Sequence, residues 1–190
     1  EREREMAALS RRSLSLATLF VFQLCATPLN CYVAEEASSR PLGQEKVTHL
    51  HFFFHDTVTG KNPSVVKVAE PNGTTSAFHF GAIFVIDDLL TAGPDPASEV
   101  VGNAQGIYAF TGKDNFSIFM AVDFGFTTGK FNGSSISVAS RNPFTETNRE
   151  LAVVGGSGQF RMARGFALLT TRKRDGPDAI VEYNVTVLHY

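Results

Sequence analysis

From Val47 to the C-terminus the chain alternates short β-forming runs with turn signals, and no long helical pattern interrupts them. That rhythm restricts the fold to an all-β class. Candidate strands cover 47–56, 64–69, 79–87, 99–110, 116–126, 134–140, 151–170 (broken at its glycines) and 180–190. Breaks fall at Gly60-Lys61-Asn62-Pro63, Pro71-Asn72-Gly73, Gly93-Pro94-Asp95-Pro96, Gly112-Lys113-Asp114-Asn115, Gly129 to Gly133, Asn142-Pro143 and Asp175-Gly176-Pro177-Asp178. Eight strands joined by short turns, without an internal repeat, suggest a closed antiparallel β-barrel, because closure removes aggregation-prone edges. A sandwich is the alternative on pattern alone.

Residues 116–126 display the two-face logic of such a strand. Phe116, Ile118, Met120, Val122, Phe124 and Phe126 share one face; Ser117, Phe119, Ala121, Asp123 and Gly125 share the other. The first face is continuously apolar. A barrel that carries apolar residues outside needs a partner surface, so self-association as a dimer or trimer is expected. An eight-stranded barrel can also hold one small ligand inside.

The 190 residues suit one folded domain, and a net charge of −2 gives no basic field for nucleic acid. The organisation expected is an N-terminal extension and secretory signal over 1–34, a flexible arm over 35–45 and the barrel domain over 46–190. Met6 reads as the initiator, with residues 1–5 an upstream artefact. Arg11 and Arg12 precede an apolar run from Leu14 to Ala26, which is the layout of a signal peptide and is short for a membrane span. No clean small-x-small cleavage triplet follows. Cleavage removes Cys25, and Cys31 lies close by, so the mature domain is expected to have no internal disulfide. Asn72, Asn115, Asn132 and Asn184 head sequons that fit a secreted glycoprotein in the extracellular space, with no membrane attachment of the mature form.

Conventional catalytic sets are missing from the sequence. His49, His51 and His55 alternate on one strand face as metal ligands can, but no thiolate completes them and Asp56 points the other way. Structural histidines and no metal are expected. Gly155-Gly156-Ser157-Gly158 lacks the Lys-Ser/Thr of a phosphate loop and reads as a glycine bend. There is no Gly-x-Ser-x-Gly elbow, no Cys/His nucleophile pair and no candidate redox centre.

Five segments carry a more specific signal. They are Leu50-His51-Phe52-Phe53-Phe54-His55-Asp56, Gly60-Lys61-Asn62-Pro63, Gly102-Asn103-Ala104-Gln105-Gly106-Ile107-Tyr108, Gly129-Lys130-Phe131-Asn132-Gly133-Ser134, and Val153 to Gly165 with its Arg161-Met162-Ala163-Arg164-Gly165 end. With the ending Glu182-Tyr183-Asn184-Val185, the chain from about residue 46 to 190 resembles the plant dirigent proteins. The resemblance implies an eight-stranded antiparallel barrel of the dirigent and allene-oxide-cyclase type, a trimer, and a pocket at the barrel mouth. The allene oxide cyclases are a similar barrel, but these motifs are dirigent-like.

The resemblance also implies a chemistry without cofactors. Dirigent proteins bind phenoxy radicals that a separate laccase or peroxidase supplies, and fix which faces couple. The demand is a shaped apolar cavity with a few groups that orient a phenol. Its expected role is stereoselective coupling of monolignol-type phenols in phenylpropanoid and lignan biosynthesis, in the apoplast. Some relatives instead stabilise a quinone methide by protonation and water loss, as a dehydratase or cyclase such as a pterocarpan-forming enzyme does. A defence-related binding protein and, on architecture alone, a lipocalin-like carrier are further alternatives. Whether the chain is an enzyme is left open, with no oxidative activity of its own expected.

Carried over by motif, Asp56 is the candidate proton donor, or else a turn acid at a strand end. Tyr108, Arg149 and Thr171 match pocket-lining positions. Arg164 is a candidate for the site or for an internal ion pair. Lignan-forming relatives place an aspartate seven residues before the arginine matched by Arg149, and here that position is Asn142. An amide orients a phenol but cannot protonate it. The Arg141-Asn142-Pro143 pattern points to the functionally mixed branch with its pterocarpan-forming members. Asp87 and Asp88 face opposite ways on a strand, so they brace a loop rather than form a catalytic pair.

Overall fold

The computed structural model of the protein describes residues 43–72 and 77–190. The N-terminal extension, the signal segment, both cysteines and all but the last residues of the arm lie outside the described residues. Nine strands follow: β1 (Lys46–Asp56), β2 (Val65–Ala69), β3 (Ile83–Thr91), β4 (Val100–Phe110), β5 (Ile118–Phe126), β6 (Ser135–Asn142), β7 (Asn148–Ser157), β8 (Arg164–Asp175) and β9 (Asp178–His189). All pairings are antiparallel, in the order β1-β9-β8-β7-β6-β5-β4-β3-β2, and β1 also pairs with β3. That last pairing closes an eight-stranded barrel of β1 and β3 to β9.

The ring therefore has the expected size with a different membership. The 151–170 run is two strands, because a 3-10 turn at Gly158–Phe160 reverses the chain between β7 and β8. Gly158 enters that turn at φ +60, which glycine adopts without strain. The third strand runs four residues later than expected, since Gly81 and its neighbours turn the chain before Ile83, and Asp87-Asp88 continue the strand.

Strand β2 completes an edge that β1 leaves unfinished. Residues 53–55 of β1 pair with 89–91 of β3, and 65–69 of β2 pair with 83–86 of the same edge. The chain between them, 57–64, is pushed out of the barrel wall. Ser64 N–H donates to the Thr57 carbonyl at 2.9 Å and Asp87 N–H to the Ser64 carbonyl at 2.9 Å. From the β8–β9 turn, the Asp178 carboxylate accepts from Val58 N–H (2.8 Å), Thr59 N–H (2.9 Å) and the Thr59 hydroxyl (2.7 Å). The loop is thus tied at its root and its middle.

The continuously apolar face of β5 points into the barrel, not outward. Ile118, Met120, Val122, Phe124 and Phe126 are buried in the core with Phe52, Phe54, Ile136, Leu151, Leu169 and Tyr183. A small closed barrel must fill its interior with side chains, so the continuous face goes inside. Apolar residues nevertheless remain outside. Val66, Val85 and Ile107 are exposed and lie side by side in register across β2, β3 and β4, with Ala121 of β5 next in line.

Candidate functional site

The interior opens at the end of the barrel where β1 stops and β9 starts. There Phe54, Asp56, Phe84, Tyr108, Phe110, Phe116, Phe144 and Tyr183 line a cavity of about 450 Å³, with Asn142, Arg149 and Arg174 among its polar walls. Strand alternation builds the aromatic lining: Phe84 of β3 stacks on Tyr108 of β4, at 5.0 Å and 18° between rings. Phe110 meets Phe84 and Phe144, and Phe144 meets Phe116. Arg174 caps this wall from β8, donating to the Phe144 carbonyl at 2.9 Å with its guanidinium 5.7 Å from the Phe144 ring centre.

Asp56 is the last residue of β1, where the alternation turns its side chain inward beyond Phe52 and Phe54. Its Oδ1 is buried without a protein partner. Burial, helped by the charge of Asp178 and opposed by Arg174, lifts its carboxyl to about 7. A carboxyl poised there can hold a proton at neutral pH and give it up. Burial also lifts Asp88 to about 8, against hydrogen bonds from the Ser64 hydroxyl and the Thr57 N–H. The Tyr108 and Tyr183 hydroxyls are pushed up by burial and by the nearby acids, so both stay neutral donors.

Arg149, at the start of β7, is buried and has no ion pair among the described residues. Its Nη1 donates to the Glu146 carbonyl (2.6 Å) and to the Thr171 hydroxyl (2.8 Å), while Nε has no partner. Burial lowers its basicity. Asn142, at the end of β6, donates to the Met120 sulfur at 3.0 Å and leaves Oδ1 unpartnered. The open end therefore combines a protonatable acid, a buried cation and an amide in an otherwise aromatic chamber.

Asp56, Tyr108, Asn142 and Arg149 are thus brought to one cavity. Thr171 stands behind it, holding Arg149. Arg164 is elsewhere: it is on the outer face in an exposed ion pair with Glu45, at 2.7 Å, and not in an internal pair. As a residue of even number in β8 it shares the outward side of that strand with Phe166 and Leu168. Asn72, Asn115, Asn132 and Asn184 are all exposed. His49, His51 and His55 bond to Thr186, Glu182 and Thr91, and no metal-holding cluster occurs among the described residues. Phe144, Arg174 and Tyr183 escaped the sequence reading of the site. Tyr183 lay inside a family-like motif, but Phe144 lies in the β6–β7 turn and Arg174 near the end of β8, where alternation gives no direction.

A family profile described as Dirigent-like protein matches residues 47–188. The chain belongs to the dirigent family. It is 51% identical over 158 residues to Dirigent protein 15 of Arabidopsis thaliana, covering 78% of this chain and 83% of that protein. It is 50% identical over 151 residues to Pterocarpan synthase 1 of Glycine max, covering 77% and 80%. The solved structure of the pterocarpan synthase dirigent protein GePTS1 superposes with a TM-score of 0.73 at 47% identity, over 78% of this chain and 87% of that one. The solved pterocarpan synthase structure thus shares the barrel fold of this chain.

Proposed function

We propose that the protein is a dehydratase-type dirigent protein that forms and steers a quinone methide from a phenolic benzylic alcohol. The observation that carries this reading is Asp56, a carboxyl raised to about 7 in the wall of an aromatic cavity. The likeness to pterocarpan synthases supports the same class. In the first step the Asp56 O–H gives its proton to the benzylic hydroxyl and the C–O bond breaks. Water leaves, and the phenol becomes the quinone methide carbonyl by giving its own proton to solvent, from which the second step takes one back. In the second step a hydroxyl of the ligand adds to the methide carbon. Its proton returns the Asp56 carboxylate to the acid, and the carbonyl regains a proton as a phenol. One water is lost and nothing is oxidised. Arg149 and the neutral Tyr108 hydroxyl hydrogen-bond the oxygen on which charge develops, while Asn142 orients the ring.

Stereoselective coupling of monolignol-type radicals, supplied by a laccase or peroxidase, is the second reading. The likeness to Dirigent protein 15 favours it. Under either reading the protein acts as a secreted, apoplastic glycoprotein. The exposed Val66, Val85 and Ile107 stripe supports a dimer or trimer through that face.

The deciding experiment supplies a phenol that bears a benzylic alcohol and a second hydroxyl placed to close a ring, with no oxidase. Chiral chromatography should reveal one enantiomer of the cyclised, dehydrated product. Asp56→Asn should slow its formation by about 10²- to 10⁴-fold, with the oligomer intact. Enantiomeric excess only from coniferyl alcohol plus laccase selects the coupling reading. Racemic product in both assays leaves a binding protein without product control.

A further inference from the structure

The rim of the cavity depends on an irregularity in β8. Along that strand Ala167 and Leu169 face the interior, and Thr171 continues their side. The β8–β9 ladder then takes an extra residue. Thr171 pairs with Val181, but Lys173 pairs with Ile180 and Arg174 with Ala179. Val181 and Ala179 line the cavity, and Ile180, between them, faces away from it. In a regular ladder Lys173 would stand beside Ala179, and Arg174 would point outward. The bulge reverses that order. Arg172 turns outward to bond Glu182 at 2.7 Å, Lys173 lines a crevice on the outer surface, and Arg174 enters the cavity wall. Bulges beside a site act in this way, by re-aiming one side chain.

Arg174 is anchored in the wall without being neutralised. Its guanidinium donates to the Phe144 carbonyl at 2.9 Å and lies 5.7 Å from the centre of the Phe144 ring. Arg149 is held in a similar way, by the Glu146 carbonyl of the same turn and by the Thr171 hydroxyl. Neither arginine has a carboxylate partner among the described residues. Their mutual repulsion adds to the burial that lowers the basicity of Arg149. Lys67 and His79 also line the cavity, but both reach Glu70. Asp56 is the one carboxyl in the lining. The chamber therefore has a buried cation, Arg149, and an exposed one at its rim, Arg174, both fixed by neutral groups. Most of the five N–H donors of the Arg174 guanidinium are left for a ligand.

We infer that Arg174 is a specificity-determining residue that holds an anionic oxygen, a carboxylate or an ionised phenol, on the outward end of an aromatic ligand. The inference rests on the proposed seating of the reacting phenol against Arg149 and Tyr108. A guanidinium binds a carboxylate through two parallel hydrogen bonds, and its planar fork has no equivalent in lysine. Set against an aromatic wall, that contact is screened less than in open water. The same anion has a second effect. Arg174 works against the retention of a proton by Asp56, and a bound anion cancels that influence. A ligand with the anionic group therefore keeps the acid loaded, and a neutral one does not.

Titration calorimetry with 4-hydroxycinnamate and 4-hydroxycinnamyl alcohol tests this, because the two differ only in a carboxylate against a hydroxymethyl group. The wild type should bind the carboxylate about tenfold more tightly, by a margin that shrinks as salt is added. 4-Nitrophenol tests the second kind of anion, since its phenolate absorbs visibly and should appear at lower pH when bound. Arg174→Gln should cut the carboxylate preference to about twofold or less and leave the affinity for the alcohol within about twofold. Arg174→Lys keeps the charge and should retain part of the preference. A preference that Arg174→Gln removes assigns a carboxylate; a nitrophenol shift that it removes, without that preference, assigns an ionised phenol. If Arg174→Gln changes neither, Arg174 is not the anion site. If Arg174→Lys loses both as fully as Arg174→Gln, the residue only braces Phe144, and the inference also fails. An anion preference without turnover on any benzylic alcohol retains the rim site and removes the dehydration reading, and turnover without the preference does the reverse.

Discussion

At one end of the barrel interior Phe126, Phe131 and Phe160 pack ring against ring, and His189 closes the layer against Phe160 at 5.1 Å. At the other end Phe84, Tyr108, Phe110, Phe116 and Phe144 line a cavity instead. The residue types are alike, so composition does not make the difference. Chain path does. At the closed end two 3-10 turns, Gly129–Phe131 and Gly158–Phe160, bring Phe131 and Phe160 against the barrel core. At the open end the 57–64 loop leaves the wall. There Asp56 ends β1, Asn142 ends β6 and Arg149 lies near the start of β7, so polar groups surround the space. One end is a plug and the other a site. Phe160→Ala should therefore have the largest effect on stability, a loss of about 3–5 kcal/mol in urea unfolding. A loss below about 1 kcal/mol would break the contrast, since the closed end would then be packed no better than the open one.

The open end should also show its character through pH. Asp56 and Asp88 have folded values of about 7 and about 8 against an ordinary 3.8. A raised acid binds its proton more tightly in the folded state. The stabilisation is thus full below about 4 and is lost as pH rises through about 7 to about 8. Replacing both by asparagine removes that loss. The double variant should gain on the wild type as pH rises from about 4 to about 8, by several kcal/mol. Comparing the two proteins at each pH cancels His55, whose burial lowers its basicity and acts in the opposite direction. A constant difference would mean that neither carboxyl is held protonated by the fold.

The barrel was legible because period-two alternation survives in nearly every strand, and its eight-membered closure follows from the need to leave no open edge. Two features were not legible. The run 151–170 hides a reversal because its break, at 158–163, ends in Arg161-Met162-Ala163, which carries no turn signal of its own. The direction of the β5 faces was left open by the pattern, because Phe119 and Ala121 make the second face partly apolar too, and only closure decides which is inside. For the site, motif positions converge on Asp56, Tyr108, Asn142 and Arg149 around one cavity. Asp88 was seen but given only a loop-bracing task. It does accept from Ser64, yet its burial beside the cavity depends on a wall interruption that no local pattern announces.

The smaller effects separate residues that support the site from residues that share only its motifs. Thr171 touches the cavity through Arg149 alone, at 2.8 Å. Thr171→Val keeps the shape and removes one hydrogen bond, so kcat/KM should fall about twofold to tenfold while the fold is unchanged. Arg164 is the opposite case. It belongs to the Ala163-Arg164-Gly165 segment that helps to mark the family, yet it lies outside the barrel, with its charge in water and its partner Glu45 just ahead of β1. Exposed ion pairs of this kind contribute little, because solvent screens them and two long side chains must be ordered to form them. Arg164→Ala should leave turnover, product handedness and the urea midpoint at their wild-type values. A change in handedness would tie the outer face of β8 to the cavity, and a shift in oligomeric state alone would assign Arg164 to contacts between subunits.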